Sequence, residues 1–162
     1  MRVAGIIKNS VANGVGVRDV IFLQGCKHKC EGCHNPHTWD IEGGEEWSVD
    51  EVLAELSESK NNVTISGGEP LLQFDALFHL AMKFNSLQNK SVWVYTGHKY
   101  EDIPFFMKWT LSHHVDVLVD GPFEQDKKDL TLQFRGSSNQ RLIDLPKSVE
   151  QLKVVEWSDS NE

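Results

Sequence analysis

The sequence predicts an α/β fold, either a partial (βα) barrel or an open, mostly parallel sheet. Three observations carry this. Short β-branched runs alternate with helical stretches of about 10–14 residues, the pattern of βα units on a parallel sheet. The chain has 162 residues, which suits one domain with one core and falls short of the roughly 250 residues of a complete eight-unit barrel. Two of the runs end directly in cysteine- or glycine-bearing loops, and βα folds gather functional groups at such strand ends. No repeat, low-complexity tract or linker interrupts residues 1–162, so a single domain is expected.

Taken in order, residues 3–7 and 17–23 are apolar and β-branched and read as strands, the second running straight into Gly25-Cys26. Residues 34–47 lack periodicity, hold Pro36, Gly43 and Gly44, and read as loop. Ser48-x-x-Glu51 is a capping box that opens a helix, with Val49, Val52, Leu53 and Leu56 on one face. Residues 63–65 form a short strand that ends in Ser66-Gly67-Gly68-Glu69-Pro70. Phe74, Leu77, Phe78, Ala81 and Phe84 keep helical spacing. Asn89-Lys90 is a turn before a strand over 91–95, and Pro104 suits the first turn of a helix over 105–111. The next strand, 115–119, stops at Asp120-Gly121-Pro122. Residues 123–140 read as irregular, and 142–145 and 151–155 as late strands. The acidic end, 156–162, is expected to fray. The five tryptophans and eight phenylalanines mostly need core positions.

Composition removes several function classes. A net charge of −8 argues against nucleic-acid backbone binding. No apolar run approaches the ~18 residues of a membrane span. Residues 1–11 carry Lys8 and lack a long apolar core and a cleavage site, so they do not read as a signal peptide. Three cysteines in one loop make a poor disulfide framework, and a cytoplasmic location is expected, where thiols stay reduced.

Chemistry concentrates in two loops. Cys26, Cys30 and Cys33 are spaced C-x3-C-x2-C, short enough for one loop to wrap three thiolates around one metal centre. Spacing alone leaves three readings open. An iron–sulfur cluster usually takes four thiolates, so three leave one iron of a four-iron cluster open for chemistry. Zinc would take His28, His34 or His37 as a fourth ligand. The third reading is inert thiols. In Ser66-Gly67-Gly68-Glu69-Pro70, two glycines let backbone N–H and C=O groups approach a ligand, and Glu69 offers a carboxylate to an ammonium group. Other residues carry weaker signals. Lys27, His28 and Lys29 suit docking of an acidic electron donor such as a flavodoxin, or a solvated loop. His113-His114 suits a helix C-terminus. Arg135-Gly136-Ser137-Ser138 suits an anion nest or a partner contact. Asp120 is a strand-end carboxylate or a turn aspartate. Trp39 and Trp47 flank a glycine-bearing loop and read as packing.

On these residues the chain resembles the radical S-adenosylmethionine superfamily: Cys26-x3-Cys30-x2-Cys33 matches its cluster motif, and Ser66-Gly67-Gly68-Glu69-Pro70 its motif for the methionine amino group. More closely it resembles the family of activating proteins of anaerobic (class III) ribonucleoside-triphosphate reductase. The matching stretches include Asn13-Gly14-Val15-Gly16-Val17-Arg18, Gln24-Gly25-Cys26, Cys30-Glu31-Gly32-Cys33-His34-Asn35, Thr38-Trp39, Val94-Tyr95-Thr96-Gly97 and Phe134-Arg135-Gly136-Ser137-Ser138-Asn139-Gln140. The chain departs from the pattern at Val15, where proline is usual, at Gly32, where an aromatic residue often packs on adenine, and at His34, where tyrosine is frequent.

The resemblance implies a radical S-adenosylmethionine fold and a 4Fe–4S cluster on Cys26, Cys30 and Cys33. It implies S-adenosyl-L-methionine on the open iron, cleaved reductively to methionine and a 5′-deoxyadenosyl radical. That radical would take a hydrogen atom from a glycine in the reductase's large subunit, the glycyl-radical partner. Gly32, Cys33 and His34 would line the adenosine, Gly67 and Gly68 would meet the methionine ammonium with Glu69 in support, and Tyr95 and Thr96 would reach the ribose. No side-chain acid or base is required, because the hydrogen moves as an atom. Two alternatives remain: a radical S-adenosylmethionine enzyme acting on a small molecule, of the 7-carboxy-7-deazaguanine synthase type, and a zinc-binding interaction module.

Overall fold

The structure is a computed structural model and describes residues 1–159. Its sheet grows from alternating apolar runs. The strands β1 (Arg2–Ser10), β2 (Arg18–Leu23), β3 (Glu45–Glu46), β4 (Asn62–Gly67), β5 (Val92–Tyr95), β6 (Val117–Asp120) and β7 (Arg141–Asp144) form one sheet in the order β3-β1-β2-β4-β5-β6-β7. The central strands β2, β4, β5 and β6 are parallel, while β1, β3 and β7 pair antiparallel at the flanks. The fold is therefore α/β with an open sheet whose edges, among the described residues, are β3 and β7.

Side chains alternate between two faces, as a strand's period of two requires. Val92, Val94 and Leu118 join the larger core under the helices, while Trp93, Val117 and Val119 line the opposite face with Tyr95, Phe134, Leu142 and Trp157. The helices α1 (Val49–Glu55), α2 (Phe74–Met82), α3 (Phe105–Leu111) and α4 (Leu145–Glu150) supply Val52, Leu77, Leu80, Ala81, Leu111 and Leu145 to that core. Each large side chain buried there stabilises the fold by roughly 1.5–3 kcal/mol.

Local chemistry sets the helix ends. Ser48 Oγ accepts from Glu51 N at 3.1 Å and Glu51 Oε2 accepts from Ser48 N at 2.7 Å, the reciprocal cap read from the sequence. Phe84 is buried, as its helical spacing implies, but it lies in a π-helical turn, Lys83–Leu87, that follows α2.

Three expectations need correction. Residues 34–47 are not all loop: they contain a 3-10 turn, Pro36–Thr38, and the two-residue β3. Residues 151–155 are not a strand. Asp144 instead caps α4 by accepting from Lys147 N at 3.0 Å, Pro146 occupies its first turn, and the chain then turns back. The acidic end is anchored further than expected. Glu156 bridges to Ile143, Trp157 N donates to Leu142 O at 2.8 Å, and the Trp157 ring meets Trp93 edge-on at 5.0 Å. Residues 160–162 lie outside the described residues. Among the described residues no helix is long and apolar enough to cross a membrane.

Candidate functional site

Parallel pairing places two loops side by side. Leu23, the last residue of β2, is in register with Gly67, the last residue of β4, so the cysteine loop and the Gly-Gly-Glu-Pro loop leave the sheet together. Backbone bonds then join them: Gly68 N donates to Leu23 O at 2.8 Å and Glu69 N to Gly25 O at 2.7 Å. The approach is too close for a side chain. A Cβ on Gly67 would stand 2.2 Å from Leu23 O, and one on Gly68 2.2 Å from Gly25 O. With those N–H groups committed, carbonyl oxygens are what this loop can offer an ammonium group, which only donates.

The cysteine loop is strapped from its other side. Gly25 N donates to Thr38 O at 2.7 Å and Cys26 N to Trp39 O at 3.2 Å. The buried Gln24 amide donates to His37 O at 3.1 Å and Asp40 O at 2.7 Å. Within this frame Cys26, Cys30 and Cys33 are unpaired thiols that line one cavity with Gly67, Gly68, Tyr95, Thr96 and His34. Asn35 N donates to Cys33 Sγ at 3.4 Å. Burial pushes the Cys26 thiol up, and backbone N–H groups of His28 and Lys29 oppose that shift. Backbone donors on two of three clustered sulfurs suit thiolates that ligate iron, so the residues present fit a cluster.

Glu69 is the hub behind this surface. It is 1% exposed. Its carboxylate accepts from Thr96 Oγ1 at 2.9 and 3.0 Å, Gly97 N at 2.8 Å, Leu71 N at 3.0 Å and His28 Nε2 at 3.0 Å. The bond to Glu69 raises the His28 imidazole above its ordinary pKa, against the effect of burial. His28 thus turns inward from between Lys27 and Lys29, which stay exposed, and fastens the cysteine loop to the ends of β4 and β5. The Thr96 hydroxyl is occupied by Glu69, and the Tyr95 hydroxyl donates to Phe134 O.

The wall opposite the glycines comes from the irregular 123–140 segment. His34 packs against Phe123 with ring centroids 5.0 Å apart, and a Cβ on Gly32 would strike Gln125 and approach Phe123. Gln140 Oε1 accepts from Gly136 N at 2.9 Å and Ser137 N at 3.2 Å, so the loop after Arg135 folds on its own carboxamide rather than standing open as an anion nest. Phe123, Gly136 and Gln140 line the cavity. Phe123 had no signal in the sequence, since neither periodicity nor motif marks it. Asp120 is buried and holds Arg141 and Tyr100 N, a structural task. His113 bonds Trp109 O at 2.8 Å at the end of α3, as a helix C-terminus favours.

Three free thiols share this cavity, and the chain belongs to the 4Fe–4S single cluster domain family, whose model matches residues 12–143. Its relatives narrow the class to anaerobic ribonucleoside-triphosphate reductase-activating proteins. The one from Vibrio cholerae is 32% identical over 139 residues, 80% of this chain and 89% of the relative. The one from Escherichia coli K12 is 33% identical over 139 residues, 80% and 90%. The one from Enterobacteria phage T4 is 37% identical over 137 residues, 80% and 85%. Among solved structures, QueE from Escherichia coli aligns with a TM-score of 0.44 at 21% identity, over 59% of this chain and 51% of that one.

Proposed function

We propose that this chain is a radical S-adenosylmethionine activase for the large subunit of an anaerobic ribonucleoside-triphosphate reductase. The observation that carries the reading is the joining of two loops: three free thiols and the Gly-Gly-Glu-Pro backbone line one cavity and are hydrogen-bonded into one unit. Cys26, Cys30 and Cys33 would hold a 4Fe–4S cluster, and the carbonyls beside Gly67 and Gly68 would orient the methionine ammonium. When bound and reduced by an external donor, the cluster would supply the one electron needed to cleave S-adenosylmethionine to methionine and a 5′-deoxyadenosyl radical, the species that would take a hydrogen atom from a reductase glycine.

The chain's own residues position and shield. Glu69 fixes the glycine turn through Thr96, Gly97 and His28, and so fixes the distance between the two loops. Phe123 and His34 give the adenosine side an aromatic wall, supplying from elsewhere in the chain what Gly32 lacks. Tyr95 and Thr96 close the ribose side. Lys27 and Lys29, exposed beside the cluster loop in an acidic protein, suit an acidic electron donor such as flavodoxin.

Anaerobic reconstitution with iron and sulfide, then reduction with S-adenosylmethionine, tests the reading. Release of 5′-deoxyadenosine is expected, followed by a glycyl radical signal by electron paramagnetic resonance (EPR) once the reductase is added. A colourless protein that releases none would overturn it. Release of 5′-deoxyadenosine without a glycyl radical would favour a small-molecule substrate.

A further inference from the structure

Beside the cysteine loop, one buried side-chain donor among the described residues has no partner. Trp39 Nε1–H is buried and has no hydrogen-bond partner. Among the described residues two other buried side-chain atoms share this state, Asp19 Oδ2 and Asn139 Oδ1, and both are acceptors on groups bonded through another atom. An indole N–H only donates, so nothing but a lone pair satisfies it. Leaving it buried and unpaired costs free energy comparable to a lost hydrogen bond.

The position of this donor is informative. Trp39 is tied to the first cysteine by the bond from Cys26 N to its carbonyl. It lines the same cavity as Cys26, Cys30 and Cys33, and none of Trp47, Trp93, Trp109 and Trp157 does. The strap of Thr38 and Trp39 along Gly25 and Cys26 fixes the Trp39 backbone against the residue that carries the first thiol. A buried, unpaired donor thus belongs to a residue that lines the cavity of the three thiols, and an anionic sulfur is an acceptor that would satisfy it.

We infer that Trp39 Nε1–H donates a hydrogen bond to a sulfur of the iron–sulfur cluster and thereby raises its reduction potential; this rests on Cys26, Cys30 and Cys33 being the cluster ligands. The negative charge on cluster sulfur grows on reduction, so a fixed donor stabilises the reduced form more than the oxidised one. Trp39 is a positioning and tuning residue and forms no bond to iron.

The test uses the full chain, reconstituted, without S-adenosylmethionine. Trp39→Phe keeps a ring and removes the N–H; its cluster is expected at a more negative midpoint potential in an EPR-monitored redox titration. Trp39→His restores a ring donor and is expected to recover part of the shift. Wild-type protein labelled with indole-15N tryptophan is expected to show a nitrogen coupling to the reduced cluster by pulsed EPR, lost in Trp39→Phe. Equal potentials together with no such coupling would overturn the inference. So would a shift that appears only after S-adenosylmethionine is added, which would assign the donor to that molecule's carboxylate. If Trp39→Phe takes up no cluster, the wild-type coupling decides, because no other tryptophan lines the cavity. Wild-type protein that forms no cluster at all refutes the ligand assignment, and the inference with it.

Discussion

Glu69 does its work by accepting. Its carboxylate collects Thr96, Gly97, Leu71 and His28, so removing it strands one buried donor and three partly buried ones drawn from three segments. Each stranded donor costs about 1–3 kcal/mol. Glu69→Ala is expected to lower unfolding stability of the cluster-free chain by about 3 kcal/mol or more, and Glu69→Gln, which keeps one acceptor oxygen, by clearly less. Denaturant unfolding measures both, and equal losses would contradict the hub. Cys30→Ala should eliminate the cluster's visible absorption and 5′-deoxyadenosine release; retained turnover would contradict the ligand set. The residues of this hub were readable in sequence, Glu69 and Thr96 as site positions. Their partnership was not, because Thr96 Oγ1 meets Glu69 across 27 residues of chain.

At the level of elements, the strand ends were the legible part. β-branched runs stopping at Gly25-Cys26 and Gly67-Gly68 put both loops on one end of a parallel sheet, as found. What the sequence did not disclose was how closely they press together. Gly68→Ala would drive a Cβ to 2.2 Å from Gly25 O. Overpacking of this kind costs about 1–3 kcal/mol, here paid at the cysteine loop itself. Lower iron content after reconstitution is therefore expected for Gly68→Ala. Gly5→Ala, with nothing within 4 Å of the new methyl, should load iron like the wild type. Full loading in both would refute the close fit. The helix α4 was missed although its signal was present: Asp144 two residues before Pro146 is a cap followed by a first-turn proline. The apolar residues on either side of it suggested strands and masked that cap.

Across the molecule, an ion-pair network ties the β6–β7 edge of the sheet. Arg141 on β7 meets Asp120 at the end of β6 and Glu101 in the turn before α3. Hydrogen bonds from Arg141 hold the Glu101 carboxyl down from its ordinary 4.5 to about 2. A depressed carboxyl pKa means the unfolded chain takes the proton first. The stability from Glu101 is full above about pH 4.5 and is lost as pH falls toward about 2. Glu101→Gln should make stability fall less steeply across that window in unfolding at stepped pH, and an unchanged slope would refute the link. Composition led to one overstatement at this scale: Phe105, Phe106 and Trp109 are 54%, 58% and 53% exposed on α3 rather than buried, because helical spacing does not say which side of a short helix meets the core. The bonds from Gly68 to Leu23 and from Glu69 to Gly25 also set a rule about length. One residue inserted between 23 and 26, or between 67 and 69, would carry each donor past its acceptor, so natural or engineered insertions belong elsewhere, as beside Leu130, which is 85% exposed.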